Sequence, residues 1–181
     1  MYLYYLIYIV KKNLYFLVVF ILIGCSSNLK TSKEISCPEV FFSSEHKKYV
    51  SSDQKEINLE NISFRAKINN FKFNSKCLLN EDIFKAKLSI LFIVSPEVIS
   101  NSDIKLPIYV AQINNKEELI DIQYYQINDK LNYNKNLKQF TETEIISNID
   151  IIFKVDKANK LEDYQFLIGF MLDKNKIKIM Y

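Results

Sequence analysis

The chain has 181 residues, yet it holds only two glycines, three prolines, one histidine and no tryptophan. The glycines are Gly24 and Gly169, so a single one remains beyond residue 24. A phosphate-cradling loop, a dinucleotide fingerprint and a nucleophile elbow each need at least two closely spaced glycines. All three are excluded for the segment after residue 24. The lone His46 has no second histidine to share a metal, and with two distant cysteines it makes a poor zinc site. An Asp-rich calcium loop is also absent. Charge of one sign is missing too: 24 basic side chains face 21 acidic ones, a net charge of +3. So balanced a chain offers no basic face to a nucleic acid. No catalytic residue, cofactor or metal ligand is assigned from the sequence.

What is present is Ile, Lys, Asn, Tyr and Phe, with 12 tyrosines and 13 phenylalanines. The codons of all five are A/T-rich, so genome composition accounts for much of the bias. Surface asparagine and lysine carry little information for that reason.

The strongest local pattern is at the front. Lys11-Lys12-Asn13 precede an apolar run over residues 14–23, which ends in Leu22-Ile23-Gly24-Cys25 with Ser26-Ser27 following. A basic segment, a short apolar segment and a small residue before the cut describe a secretory signal. The final four residues resemble the lipobox of bacterial lipoproteins. That resemblance implies cleavage before Cys25 and lipidation of Cys25 with diacylglycerol and palmitate. It also implies anchoring in a membrane through the N-terminal lipid. Residues 1–10 add a second apolar run ahead of the lysines, which points to a true translation start near Ile9 or Val10. A single uncleaved span is opposed by Lys11, Lys12 and Asn13, because each central lysine costs about 2.5–3.5 kcal/mol on insertion. Ser26 after the cysteine resembles the signal for sorting to the outer membrane, facing the periplasm, with inner-membrane retention as the other outcome.

With Cys25 taken by lipid, Cys37 and Cys77 are expected to form a disulfide in an oxidising periplasm. Three segments follow: a signal peptide over 1–24, a flexible tether over 25–36, and one folded domain over 37–181.

Period-two alternation dominates that domain. Ile62, Phe64, Ala66 and Ile68 alternate with polar residues, as do Phe84, Ala86, Leu88, Ile90 and Phe92. Further runs cover 106–113, 119–127, 141–153 and 164–172, with shorter candidates at 40–42 and 177–181. With so few glycines, the turns are expected at Asn114-Asn115, Asn128-Asp129, Asn159-Lys160 and Lys174-Asn175, since asparagine tolerates left-handed backbone angles. No helix longer than two turns is expected, and residues 142–148 are ambiguous. Leu161, Tyr164, Phe166, Ile168 and Phe170 resemble the penultimate strand of immunoglobulin-like domains. The expected fold is therefore all-β, an immunoglobulin-like antiparallel β-sandwich of about seven to eight strands.

Cys37-Pro38-Glu39-Val40, the strand at 62–68, Cys77, the run ending at Pro96, residues 106–111 and the strand at 164–172 are together similar to small uncharacterised alphaproteobacterial lipoproteins. The resemblance implies a secreted, disulfide-bonded β domain and transfers no activity. His46 reads as a solvated loop residue. The acids Glu117, Glu118, Asp121, Glu142, Glu144 and Asp150 read as a solvated surface, although a glycosidase needs only two of them opposed. Within Phe41-Phe42 and Tyr124-Tyr125, strand geometry sends one residue of each pair outward; an exposed Tyr124 or Tyr125 is then a candidate contact for a partner, with packing at a sheet edge as the alternative. The expected function is a non-enzymatic binding or envelope-assembly module, taking another envelope protein or a glycan. The alternative is an envelope hydrolase with an acidic active site.

Overall fold

A computed structural model describes residues 32–54, 56–98, 102–155 and 163–180. The proposed signal segment and Cys25 lie outside them, as does the turn expected at Asn159-Lys160. In chain order the described strands are β1 Lys33–Ile35, β2 Val40–Phe42, β3 Lys48–Ser51, β4 Phe64–Phe73, β5 Cys77–Asn80, β6 Ile83–Pro96 and β7 Asp103–Asn114. Then come β8 Leu119–Lys130, β9 Asn132–Asn134, β10 Gln139–Thr141, β11 Thr143–Lys154 and β12 Tyr164–Phe170, followed by helix α1, Lys174–Met180.

The protein is all-β, as expected, and its long strands sort into two sheets. The 14-residue β6 is the axis of the larger one. Antiparallel β11 lies along one side of it, from Thr143 opposite Val94 to Lys154 opposite Ile83. Its other side is shared by β4 and then β5, with β3 beyond β4 and β1 beyond β5. The second sheet has the order β2-β12-β7-β8, antiparallel except for the parallel pair β2–β12. Strands β9 and β10 form a separate hairpin.

Alternation explains the core. On β6, Phe84, Ala86, Leu88, Ile90, Phe92 and Val94 are buried; on β12, Tyr164, Phe166, Ile168 and Phe170 are buried. Phe166 joins the two sheets, with ring centroids 5.2 Å from Phe84 and 5.0 Å from Phe153. Each side chain of this kind contributes roughly 1.5–3 kcal/mol when fully buried. The Cys37–Cys77 disulfide is present, with Cα atoms 5.2 Å apart and a separation of 40 residues. In the chain-entropy account a loop of that size contributes about 4 kcal/mol. Ser63, Ser89, Gln112 and Thr143 are the buried polar residues among those described; Gln112 on β7 is fully buried and both of its amide atoms lack a hydrogen-bond partner.

Four expectations need correction. Residues 33–35, within the expected tether, form β1 and pair with Cys77–Leu79, so the compact unit begins at Ser32. Residues 177–181 were expected as a strand because Ile177 and Ile179 alternate with lysine, but Lys174–Met180 is helical. Its start is set by Asp173, whose Oδ1 accepts the Lys176 N–H at 2.9 Å. That backbone bond, with Lys176 nearby, holds the Asp173 carboxyl below its usual range. Asn128-Asp129 is no turn and lies inside β8, while the ambiguous stretch 142–148 belongs almost entirely to β11. Among the described residues, finally, the left-handed positions fall on Glu81, Glu117 and Lys138 rather than asparagine. The asparagines shape turns through their side chains instead. Asn114 Oδ1 accepts the N–H groups of Lys116 and Glu118, and Asn134 Oδ1 those of Asn136 and Leu137.

Candidate functional site

Strand geometry divides the two aromatic pairs as expected. Phe41 is 45% exposed, whereas Phe42 turns inward and meets Phe71 edge-on at 5.6 Å. Tyr124 is 61% exposed, whereas Tyr125 points inward and its hydroxyl donates to the Asp150 carbonyl at 2.9 Å. The pairing of β2 with β12, and of β12 with β7 and β8, then places both outward rings on one face of the four-stranded sheet.

Paired residues share a face, so the register identifies its members. Phe41 is opposite Leu167, Leu167 opposite Ala111, and Ala111 opposite Ile122. At a strand spacing of about 4.8 Å this apolar row is roughly 14 Å long, with Phe41 exposed, Leu167 and Ile122 half-buried, and Ala111 buried between its larger neighbours. The adjacent row runs Gly169, Tyr109, Tyr124. Ile113 and the exposed Leu119, which is its pair, extend the surface toward the β7–β8 turn. No charged residue occupies this face of β7 from Pro107 to Ile113, or of β8 from Ile122 to Asn128. Charge returns at the ends, with Lys105, the Asp103–Lys130 pair at 4.0 Å, and Glu118.

One end of the face is built around Gly169. The chain leaves β2, continues along the same edge of β12 and crosses to β3 on the other sheet. The crossing is held by the Ser43 N–H on the Ile168 carbonyl at 3.0 Å and the Phe170 N–H on the His46 carbonyl at 2.7 Å. A Cβ on Gly169 would stand 2.6 Å from the Tyr109 hydroxyl and 2.8 Å from the His46 Cβ. Only glycine lets both lie that close. His46 is therefore not a solvated loop residue: it is half-buried, edge-on to Tyr109 at 5.6 Å, and its Nδ1 is 3.1 Å from the Tyr109 hydroxyl. Burial pushes the Tyr109 hydroxyl above its ordinary range, a hydrogen bond with Ser43 opposes this, and Glu45 adds to it. Tyr109 thus stays protonated at neutral pH and serves to pin the crossing.

The acids named from the sequence are distributed over several places. Glu117 and Glu118 sit at the β7–β8 turn, where Asn114 Nδ2 donates to Glu118 at 2.7 Å. Glu142 accepts from Ser95 Oγ at 2.9 Å, just before β11, and Asp150 lies mid-strand, 4.0 Å from Lys87. Among the described residues, no three His, Cys, Asp or Glu side chains are placed to hold a metal ion. Cys37 and Cys77 are spent on their bridge. Sequence reasoning missed Leu167, Ala111 and Ile122 as partners of the outward rings, and Gly169 as a crossing point. A lone glycine inside an alternating strand is the signal that marks the latter. No known protein family, curated protein or solved structure matches the chain.

Proposed function

We propose that the protein is a lipoprotein of the small alphaproteobacterial Cys-Pro-x-Val group, anchored through Cys25 at the periplasmic face of the outer membrane. It acts there as a non-enzymatic binding module for envelope assembly, and its partner is another envelope protein. The observation that carries this reading is the uncharged face running from Phe41 through Leu167 and Ala111 to Ile122 and Tyr124. Aromatic residues are enriched and charges depleted at the centre of protein interfaces, with polar residues at the rim. This face has that distribution, since its charges stand only at its ends.

The test is crosslinked capture from membranes with the wild type, with Phe41→Asp/Tyr124→Asp, and with Ile146→Asp on the other sheet. All three substituted positions are exposed, so the fold is retained. A partner recovered with the wild type and Ile146→Asp, and lost with the double variant, supports the reading. Identical recovery from all three removes it.

A further inference from the structure

The outward face of the larger sheet has the opposite character. Lys48 on β3 is directly opposite Lys67 on β4, and Arg65 lies two residues from Lys67 on the same face. Directly opposed Cβ atoms are about 4.5–5.5 Å apart, and like charges there are unfavourable. Among the described residues neither lysine has an acidic partner, while Arg65 pairs with Glu97 at 2.9 Å. The nearest acids along these rows are displaced. Glu144 is opposite Ile93 on the far side of β6, and Glu142 takes the Ser95 hydroxyl. The backbones of both are about two strand spacings, roughly 10 Å, from β4, although the Glu142 carboxylate reaches back to Ser95 on the cavity wall and is held there by its hydroxyl.

These cations border an open cavity of about 310 Å³. Apart from Ser95 its other lining is largely apolar, with Ile93 on β6 facing Ile179 and Met180 of α1. Ile93 points outward from a central strand yet is only 8% exposed. The helix is held over β3 by Lys176, whose Nζ is 4.7 Å from the Tyr49 ring centroid and 3.2 Å from its hydroxyl. Among the described residues, two lysines without an acidic partner stand at the mouth of a largely apolar hollow, which leaves positive charge uncompensated and apolar surface partly wet. One kind of ligand relieves both.

We propose that this cavity binds an anionic amphiphile, a single phosphate or carboxylate headgroup carrying an alkyl chain. The headgroup sits between Lys48 and Lys67 with Arg65 beside it, and the chain lies between Ile93 and the two apolar residues of α1. The site is on the opposite sheet from the proposed protein-docking face and stands without it.

The Ser32–Tyr181 unit has its own core and its own disulfide, so it is the protein to titrate by calorimetry. The probes are octyl phosphate, octanoate, inorganic phosphate and the uncharged octyl glucoside, all below micelle formation. At least one of the two charged octyl compounds is expected to bind tenfold more tightly than inorganic phosphate and octyl glucoside; comparing the two shows which headgroup is preferred. Lys48→Glu and Lys67→Glu each weaken that binding at least tenfold, and each replaces a like-charge pair by an opposite one, so neither lowers Tm. Ile179→Asn weakens the octyl compound alone. Phe41→Asp/Tyr124→Asp changes none of it, which separates this site from the docking face. Equal binding of inorganic phosphate or octyl glucoside overturns the proposal, as does a Lys48→Glu/Lys67→Glu double variant that binds like the wild type.

Discussion

Gln123 on β8 clasps Ile152 on β11 with both ends of its side-chain amide. Its Nε2 donates to the Ile152 carbonyl, and its Oε1 accepts the Ile152 N–H at 3.3 Å. Two residues on, Tyr125 reaches Asp150, and farther along the Asn132 N–H meets Thr143 Oγ1 at 2.9 Å. The three contacts advance in step, one chain rising as the other falls, as in an antiparallel ladder. Side chains here do the work of a missing backbone pairing between the two sheets. Exposed edge strands invite pairing with other chains, and this seam occupies the edge of β11. Gln123→Ala should cost about 1–2 kcal/mol in urea unfolding and raise the tendency to aggregate. An unchanged midpoint would show that the clasp is dispensable.

The same seam should respond to alkaline pH. Burial, assisted by the Asp150 carboxylate, pushes the Tyr125 hydroxyl up to about 12, against about 10 in an unfolded chain. A phenol that holds its proton more tightly when folded stabilises the fold fully below about pH 10, and loses that contribution as pH rises through its folded value. The wild type should therefore lose Tm faster than Tyr125→Phe between about pH 10 and 12. Parallel curves would mean that Tyr125 titrates alike in both states.

Gly169→Ala tests the crossing. The added methyl meets the Tyr109 hydroxyl and the His46 Cβ, and the latter is tied closely to the backbone. Overpacking of this kind costs about 1–3 kcal/mol. In a Tyr109→Ala background the cost should shrink, because the two nearest of the three contacts are gone. Equal cost in both backgrounds, measured by urea unfolding, would clear Tyr109 of the clash.

Gln112 is a site for stabilisation. Its buried amide has no partner for either polar atom, and such groups cost about 1–3 kcal/mol to desolvate. Gln112→Leu keeps a similar volume and removes both, so Tm should rise by roughly 2–4 °C for each kcal/mol recovered. A fall in Tm would refute the account.

The long strands were legible because each buries one face, which leaves a period of two in the sequence. Of the three- and four-residue strands only β2 was, through the apolar run Val40-Phe41-Phe42; the others carry too few residues to show a period. Helix α1 imitates a strand through Lys-Ile-Lys-Ile, and Asp173, its cap, was the countersign. That one ring of Phe41-Phe42 and one of Tyr124-Tyr125 faces outward was legible; that these are Phe41 and Tyr124 was not. Their convergence was hidden, because it depends on β12 pairing with β2 on one side and β7 on the other. His46 was placed correctly in a loop, but its partner Tyr109 is 63 residues away. Pairwise spacing in the sequence carries no trace of that contact.

The bridge near the start of the domain also decides how it responds to being pulled. Tension arriving ahead of Ser32 would peel β1 from β5 and then meet Cys37, which is covalently held to Cys77. From there the load passes directly into β5 and β6, and the loop containing β2, β3 and β4 is left out of the path. Phe41 belongs to that sheltered loop. A domain held by its front end could thus be tugged without disturbing the surface it presents.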